Sequence, residues 1–390
     1  IGAAFVAKLA DHTALAGIVP SITSESIEAL LSIVASSMLV IATFAVASMV
    51  SAYASASSSA TPRSFRVVVA DDVSQNALST FIGAFIFSIV ALTSVKNGYF
   101  GAAGLFTLFL LTVFVFAMVI VTFVRWVDRI ARLGRLGSTI DKVEDAAARA
   151  LKRRRDAPTL HAFPRSPGTA HGQAIFATSV GYVQHVDVSG LQTWAENNEA
   201  RVAVAALPGT FVMPGRALAQ VSGRPEEMTK LDSAGLLQSF QIGPDRLFDD
   251  DPRFGLVVLS EIAGRALSPG INDPGTAIDI IGTLVRLFVL WSASDESVDS
   301  PVPKYDRVEV PALSVQDMFE DAFTAIARDG AGIVEVAVRL QKALQSLTQV
   351  DNAEMREAAL HHHRLAFARS QQALTFAEDL ARVETAADYH

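Results

Sequence analysis

The 390 residues are 51% hydrophobic, with a mean hydropathy of +0.34 and a formal net charge of −8, a composition too apolar for an ordinary soluble domain. Cysteine is absent, which excludes disulfides, thiolate chemistry and cysteine-ligated zinc or iron–sulfur sites. The acidic balance speaks against nucleic acid as a partner, because the basic residues cluster where membrane topology already accounts for them.

The apolar excess lies at the front. Between Ser26 and Val124 the charged residues are Glu28, Arg63, Arg66, Asp71, Asp72 and Lys96, whereas the remainder is charged throughout. Three stretches, 27–53, 78–95 and 102–124, approach or exceed the roughly 20 helical residues needed to cross a hydrocarbon core of about 30 Å. None has the basic start and cleavage site of a signal peptide. The sequence therefore predicts an α-helical transmembrane bundle over residues 1–125, with the lipid bilayer as its first partner. From Arg125 to Asp156 ten Lys or Arg stand against five Asp or Glu, with the densest patch "KRRR" at Lys152–Arg155, while the link after span two holds only Lys96. By the positive-inside rule the C-terminal region is expected to be cytoplasmic. A chain that starts at Ile1 under this topology predicts a further span ahead of residue 1.

Span one is rich in small residues. Ser37, Ser48, Ser51, Ser55 and Ser59 fall near one helical face, with Ala35, Ala42, Ala45 and Ala47 close by. Two readings stand: close packing within or between subunits, and a serine-lined aqueous path in a homo-oligomer. No ionisable residue lies deep in any span, which argues against a proton-coupled pump. Span three is expected to run on as one helix through residues 126–156, with Trp126 at the membrane interface and Arg125, Arg129 and Arg132 as a basic stripe toward anionic headgroups.

Residues 157–173, with three prolines and two glycines, read as a linker. Residues 174–235 read as a small β-rich module: an extended run at 174–188, a short helix capped near Ser189, and two strand runs divided by Pro-Gly turns at 208–209 and 214–215. His171, His185, Asp187 and Glu196 match no compact metal-ligand spacing, so no metal is assigned. The aspartates 249–251 read as the flank of a helix start.

Residues 236–390 read as a helical domain, giving a mixed fold class: a membrane bundle followed by an α+β cytoplasmic region. "GTLVRLFVLW" is read as a buried helix and not as another span, because it follows Asp279 and contains Arg286. Two helices are broken at "ALSPGINDPGTA", where Pro269 and Gly270 stop one and Asn272 or Asp273 caps the next, opened by Pro274. The polar density there makes Ser268, Asn272, Asp273, Thr276 and Asp279 candidates for an ion or small ligand, beside the plainer reading of a structural corner. Adjacent His361, His362 and His363 point in different directions and do not form a metal site.

"SATPRSFR", "GYVQHVD", "LPGTFVMPGRALAQV" and above all "DDPRFGLVVLSEIAGRALSPGINDPGTAID" resemble, in this order, a widespread bacterial family of predicted inner-membrane proteins of unassigned function. The resemblance implies four spans and a cytoplasmic C-terminal domain, and attaches no chemistry or cofactor to the motif positions. Gly275 stands where that family often has a large residue. No nucleophile is paired with a positioned base, so an enzyme is not expected. Two functions remain in view: an oligomeric channel or transport-related protein with a cytoplasmic vestibule or sensor, and a membrane-anchored ligand-binding or regulatory protein without a permeation path.

Overall fold

The computed structural model describes residues 22–59, 61–64, 67, 72–132, 135–165, 172–223, 233–293 and 303–388, and without side chains at 56–59 and 72. The span expected ahead of residue 1 and His171 lie outside them. The chain divides into two compact units, with the boundary after Thr139.

Among the described residues the first unit is built from three long helices: α1 (Ser24–Ser59), α2 (Asp72–Lys96) and α3 (Ala102–Arg132). Each packs against the other two. The packing seam of α1 runs through Ile27, Leu31, Val34, Met38, Ala42, Ala45, Met49 and Ala52, with Ala35 buried beside it, and that of α2 through Ser74, Ala77, Phe81, Ala84, Ser88, Ala91 and Val95. This alternation of three- and four-residue steps makes the narrow seam of coiled-coil-like packing, and the alanines let the backbones approach. The buried hydroxyls of Ser88 and Thr112 donate to their own helices, at Ala84 O and Leu108 O (both 2.8 Å), so the seam contains no unmet hydroxyl at either position. Outward, Ile33, Val40, Phe44, Ile86, Phe114 and Val124 are exposed, as suits helices whose solvent is lipid.

Two expectations for this unit are corrected. Trp126 is fully buried and not displayed at an interface: its ring meets Phe44 and Phe81 edge-on at 6.0 and 6.2 Å. The helix that carries it ends at Arg132, and a separate helix α4 begins at Leu136. Ser138 marks the new start, its hydroxyl donating to the carbonyls of Arg132 and Arg135.

The second unit combines two sheets with a helical region. Along the chain come α4 (Leu136–Asp156), β1 (Ala162–Pro164), β2 (Gln173–Phe176), β3 (Gly181–Val186), α5 (Val188–Asn197), β4 (Arg201–Val204), β5 (Phe211–Val212), β6 (Ala217–Ser222), α6 (Ser233–Leu237) and β7 (Phe240–Gly243). There follow α7 (Phe254–Ala266), α8 (Pro274–Ser292), β8 (Tyr305–Val310), α9 (Val315–Asp329), α10 (Val334–Thr348), α11 (Ala353–Ala373) and α12 (Ala377–Ala387). One sheet has the order β1-β8-β4-β6-β2, the other β5-β3-β7. The strands are thus drawn from well beyond 174–235, and β8 sits in parallel between β1 and β4.

The extended run expected over 174–188 splits between the two sheets. Gly181 opens β3 in the second sheet, and glycine is required there because a β-carbon would lie 2.5 Å from the carbonyl oxygen of Gly243. Asp187, and not Ser189, caps α5, accepting from Gly190 N at 3.0 Å. A common apolar core of Val183, Leu191, Val202, Val204, Leu218, Val221 and Val308 joins the sheets.

Of the four helices among the described residues that are long and apolar enough to cross a membrane, α8 has the lowest peak hydropathy, 1.4. It packs against α7 and α10, buries Ile280, Ile281, Leu284, Leu287 and Phe288, and stacks Phe288 on Phe319 and Phe323 of α9. Arg286 on its other side grips Glu144 of α4 through two 2.7 Å hydrogen bonds. An apolar face enclosed by protein and an opposite face holding an ion pair make it a core helix of this region.

Candidate functional site

At the corner between α7 and α8 the polar groups turn on one another. Ser268 Oγ donates to Arg265 O (2.7 Å), Asn272 adopts the left-handed conformation (φ 52°), and Asp273 N donates back to Ala266 O (2.8 Å). Asn tolerates that φ better than most residues because its short side chain is compatible with it. The Asp273 carboxylate accepts from the hydroxyl of Thr276 (2.6 Å) and from its N–H (3.1 Å), and Pro274 opens α8. These bonds from Thr276, the hydroxyl first, hold the Asp273 carboxyl below its ordinary range. The structure thus joins Asp273 to Thr276, turns Ser268 back on α7, and leaves Asn272 and Asp279 exposed.

On α1, Ser37 and Ser48 are half-buried beside the packing seam, Ser51 and Ser55 are exposed, and the Ser59 side chain lies outside the described residues. The outward face also carries Ser32, Ser36 and Thr43; Ser36 Oγ donates to Ser32 O (2.9 Å) and Thr43 Oγ1 to Val40 O (2.9 Å). The remaining metal candidates part company: His185 pairs with Asp250 (2.6 Å), Asp187 caps α5, and Glu196 accepts from Gln192 (2.7 Å). Among the described residues no group of three or more His, Asp or Glu side chains is placed to hold a metal.

A denser polar assembly lies ahead of α7. Three stretches that carry the family resemblance, "GYVQHVD", "LPGTFVMPGR" and "DDPRFG", meet there. Gly209 N donates to Val183 O (2.8 Å), Val183 N to Thr210 O (3.0 Å), and the Asp251 carboxylate lies against the α-carbon of Gly209. Gly209 answers two demands at once: its φ is 91°, and a β-carbon would stand 2.3 Å from Asp251 Oδ2.

Asp251 is therefore part of a buried network and not merely the flank of a helix start. Its carboxylate accepts from Arg246 Nε (2.7 Å), Arg246 Nη2 (3.0 Å) and Arg253 N (3.1 Å). Burial pushes its carboxyl up from the usual value, against the downward pull of Arg246. Arg253 in turn reaches Asp321 (2.6 Å) and Asp317 (2.7 Å) on α9. The "KRRR" patch takes part as well. Arg153 donates to Asp249 O, Arg154 to Pro311 O (3.0 Å) and Arg155 to Leu290 O (2.9 Å), so three adjacent arginines staple α4 to three separate segments.

Beside this network lies a cavity of about 370 Å³, lined in part by Pro208, Gly209, Thr210, Arg216, Arg246, Arg253 and Ser314. Ser314 caps α9, donating no charge but accepting from Asp317 N (3.1 Å). Arg216 is exposed and forms no ion pair among the described residues. A second cavity of about 520 Å³ lies across the shared segment Ala312–Ser314, bounded by Glu354, Glu357, His361 and Arg364. Of these lining residues the sequence marks Pro208 and Gly209 as a turn and His361 as one of three adjacent histidines, but none as a site; the further signal on Gly209, Arg216 and Arg253 is their place inside the resemblance stretches.

Uncharacterized proteins of Mycobacterium tuberculosis (strains CDC 1551 / Oshkosh and ATCC 25618 / H37Rv) and of Mycobacterium bovis are each 33% identical to the chain over 121 residues. That match covers 30% of this chain and 23% of each relative, so the chain spans about a quarter of the length of the curated relatives it matches. No solved structure matches the chain. The family described as "Predicted membrane protein (DUF2254)" matches residues 1–346. Helices fit to span a bilayer, a following α+β region of cytoplasmic type and this match agree, and the chain belongs to that family of bacterial multi-pass inner-membrane proteins.

Proposed function

We propose that the protein is a membrane-anchored ligand-binding protein, with its spans holding it in the bilayer and the cavity at Gly209 and Ser314 taking a small molecule. The observation that carries this reading is the cavity itself. Its 370 Å³ fall in the range of small-molecule sites, and its walls come from four separate parts of the chain. A regulatory role follows from that construction, because a ligand touching the 207–210 turn, the 244–253 loop and the start of α9 links the β module to the helical region.

The absence of cysteine supplies the test. Thr210→Cys in the full chain, alkylated with a trifluoromethyl reagent, places one fluorine reporter in the cavity. A small-molecule extract of bacterial cytoplasm is expected to shift its ¹⁹F resonance saturably. An unchanged resonance overturns the reading.

The second reading, an oligomeric channel or transport-related protein, draws on the hydroxyl-bearing outward face of α1 at Ser32, Ser36, Thr43 and Ser51, which copies of the chain could turn toward a common axis. Reconstituted protein with a unitary conductance that Ser36→Leu abolishes would favour it.

A further inference from the structure

The charges around the cavity do not balance. Its walls hold Arg216, Arg246, Arg253 and Asp317, and the side chains paired with them add Asp251 and Asp321. Arg154 adds a fourth guanidinium, bound through Nη2 to the carbonyl of Pro311, itself a wall residue. Counting the lining and the groups bound directly behind it, four cations stand against three carboxylates.

The excess is in an unusual place. Arg154 is only 4% exposed, meets no carboxylate, and has a buried Nε with no hydrogen-bond partner among the described residues. Burial alone lowers its pKa to about 10. A charge taken out of water without a counter-ion is costly to keep and raises the positive potential of its surroundings. Arg246 and Arg253 are held in place by their aspartates, with Arg246 also lying 5.3 Å over the Phe254 ring, so neither has to be ordered when a ligand arrives. Arg216, in contrast, offers a whole guanidinium fork without a charged partner among the described residues, suited to two-point contact with an oxyanion.

Resting on the proposed use of this cavity, we infer that its ligand carries an oxyanion, a phosphate or carboxylate group, bound directly by Arg216 in the field of Arg154, Arg246 and Arg253. Asp317 on the rim sets the limit on how much negative charge fits, since a bulky polyanion would meet its carboxylate.

The test uses the full-length protein in nanodiscs with pyrophosphate and citrate as dissolved probes, and phosphatidic acid as a lipid probe. Binding is read from the fluorine reporter at residue 210 and from the unfolding midpoint. Pyrophosphate or citrate is expected to bind saturably, with Arg216→Ala about 10- to 100-fold weaker, the loss appropriate to a charge-assisted bond. Arg216→Lys should restore part of the affinity.

Arg154→Met should raise the unfolding midpoint yet weaken anion binding several-fold, a pairing of opposite signs that a purely structural arginine would not give. A response confined to nanodiscs containing phosphatidic acid, and lost in Arg216→Ala, identifies a lipid headgroup as the source of the same oxyanion. A fluorine shift with cell extract but with none of the three anions overturns the oxyanion while leaving ligand binding intact. Silence with all of them overturns both.

Discussion

Two polar loops flank the same helix, α7, and use their polar groups in opposite ways. The loop behind it, from Leu267 to Asp273, keeps its bonds local: Ser268 to Arg265, Asp273 to Thr276 and to Ala266. The loop ahead of it, from Arg246 to Arg253, reaches the 209 turn, α9 and α4. Polar density in a sequence therefore does not by itself mark a site. The distance over which polar groups find their partners distinguishes a cap, replaceable by another cap, from a network that holds separate segments together.

The largest effect that would break this contrast is at Asp251. Asp251→Ala leaves Arg246 beside a buried gap and should cost about 3–5 kcal/mol of stability, as for one partner removed from a buried pair. A loss below about 1 kcal/mol in denaturant unfolding would place the forward loop with the corner. His362 on α11 sharpens the same point, being a buried titratable group with a carboxylate only at the edge of ion-pair distance. It is 3% exposed, with Gln316 at 3.4 Å, Glu320 at 4.0 Å and the Phe319 ring beside it. Burial lowers its pKa from 6.5 to about 4, with Glu320 opposing and His361 and Arg369 adding to the fall.

The unfolded chain thus binds the proton more readily than the folded one between those values. The stability this histidine permits is full above about pH 6.5 and is lost as pH falls toward 4, by roughly 3 kcal/mol at most. His362→Leu should flatten that part of the pH profile.

Smaller effects follow. Gly209→Ala forces a side chain into a positive φ and against Asp251, and should cost about 1–3 kcal/mol, visible as a lowered unfolding midpoint. Asp273→Ala should cost about 1 kcal/mol and Asp273→Asn only a few tenths, since Asn caps nearly as well. A large loss for the Asn variant, with the fold intact, would mean that Asp273 serves a ligand as well as the helix.

Much of the molecule was legible from local pattern. The three spans follow from length and hydropathy, and the assignment of α8 to the protein core follows from Asp279 and Arg286 interrupting its apolar run. The corner is legible because Asn, Asp and Pro act on their own neighbours. What was not legible depends on partners far along the chain. "KRRR" counts as topology in a sequence, yet Arg154 is buried on Pro311, 157 positions away. Trp126 has the right address for a membrane interface, but the facing Phe44 and Phe81 enclose it. The aspartates at 249–251 look like a helix flank until Gly209 and Arg246 are brought to Asp251.

The placement of β8 has a consequence for how the protein is made. It lies between β1 and β4, and β1 has no other strand neighbour among the described residues, yet it is encoded after α8. During synthesis the hydrophobic spans emerge first and are handed to the membrane while the five-stranded sheet still lacks its interior strand. Parallel pairings closed over so much chain are slow to form. The nascent protein therefore spends a window anchored in the bilayer with β1 and the edge of β4 open, and the arrival of β8, not of the spans, decides when the cytoplasmic region becomes safe from aggregation.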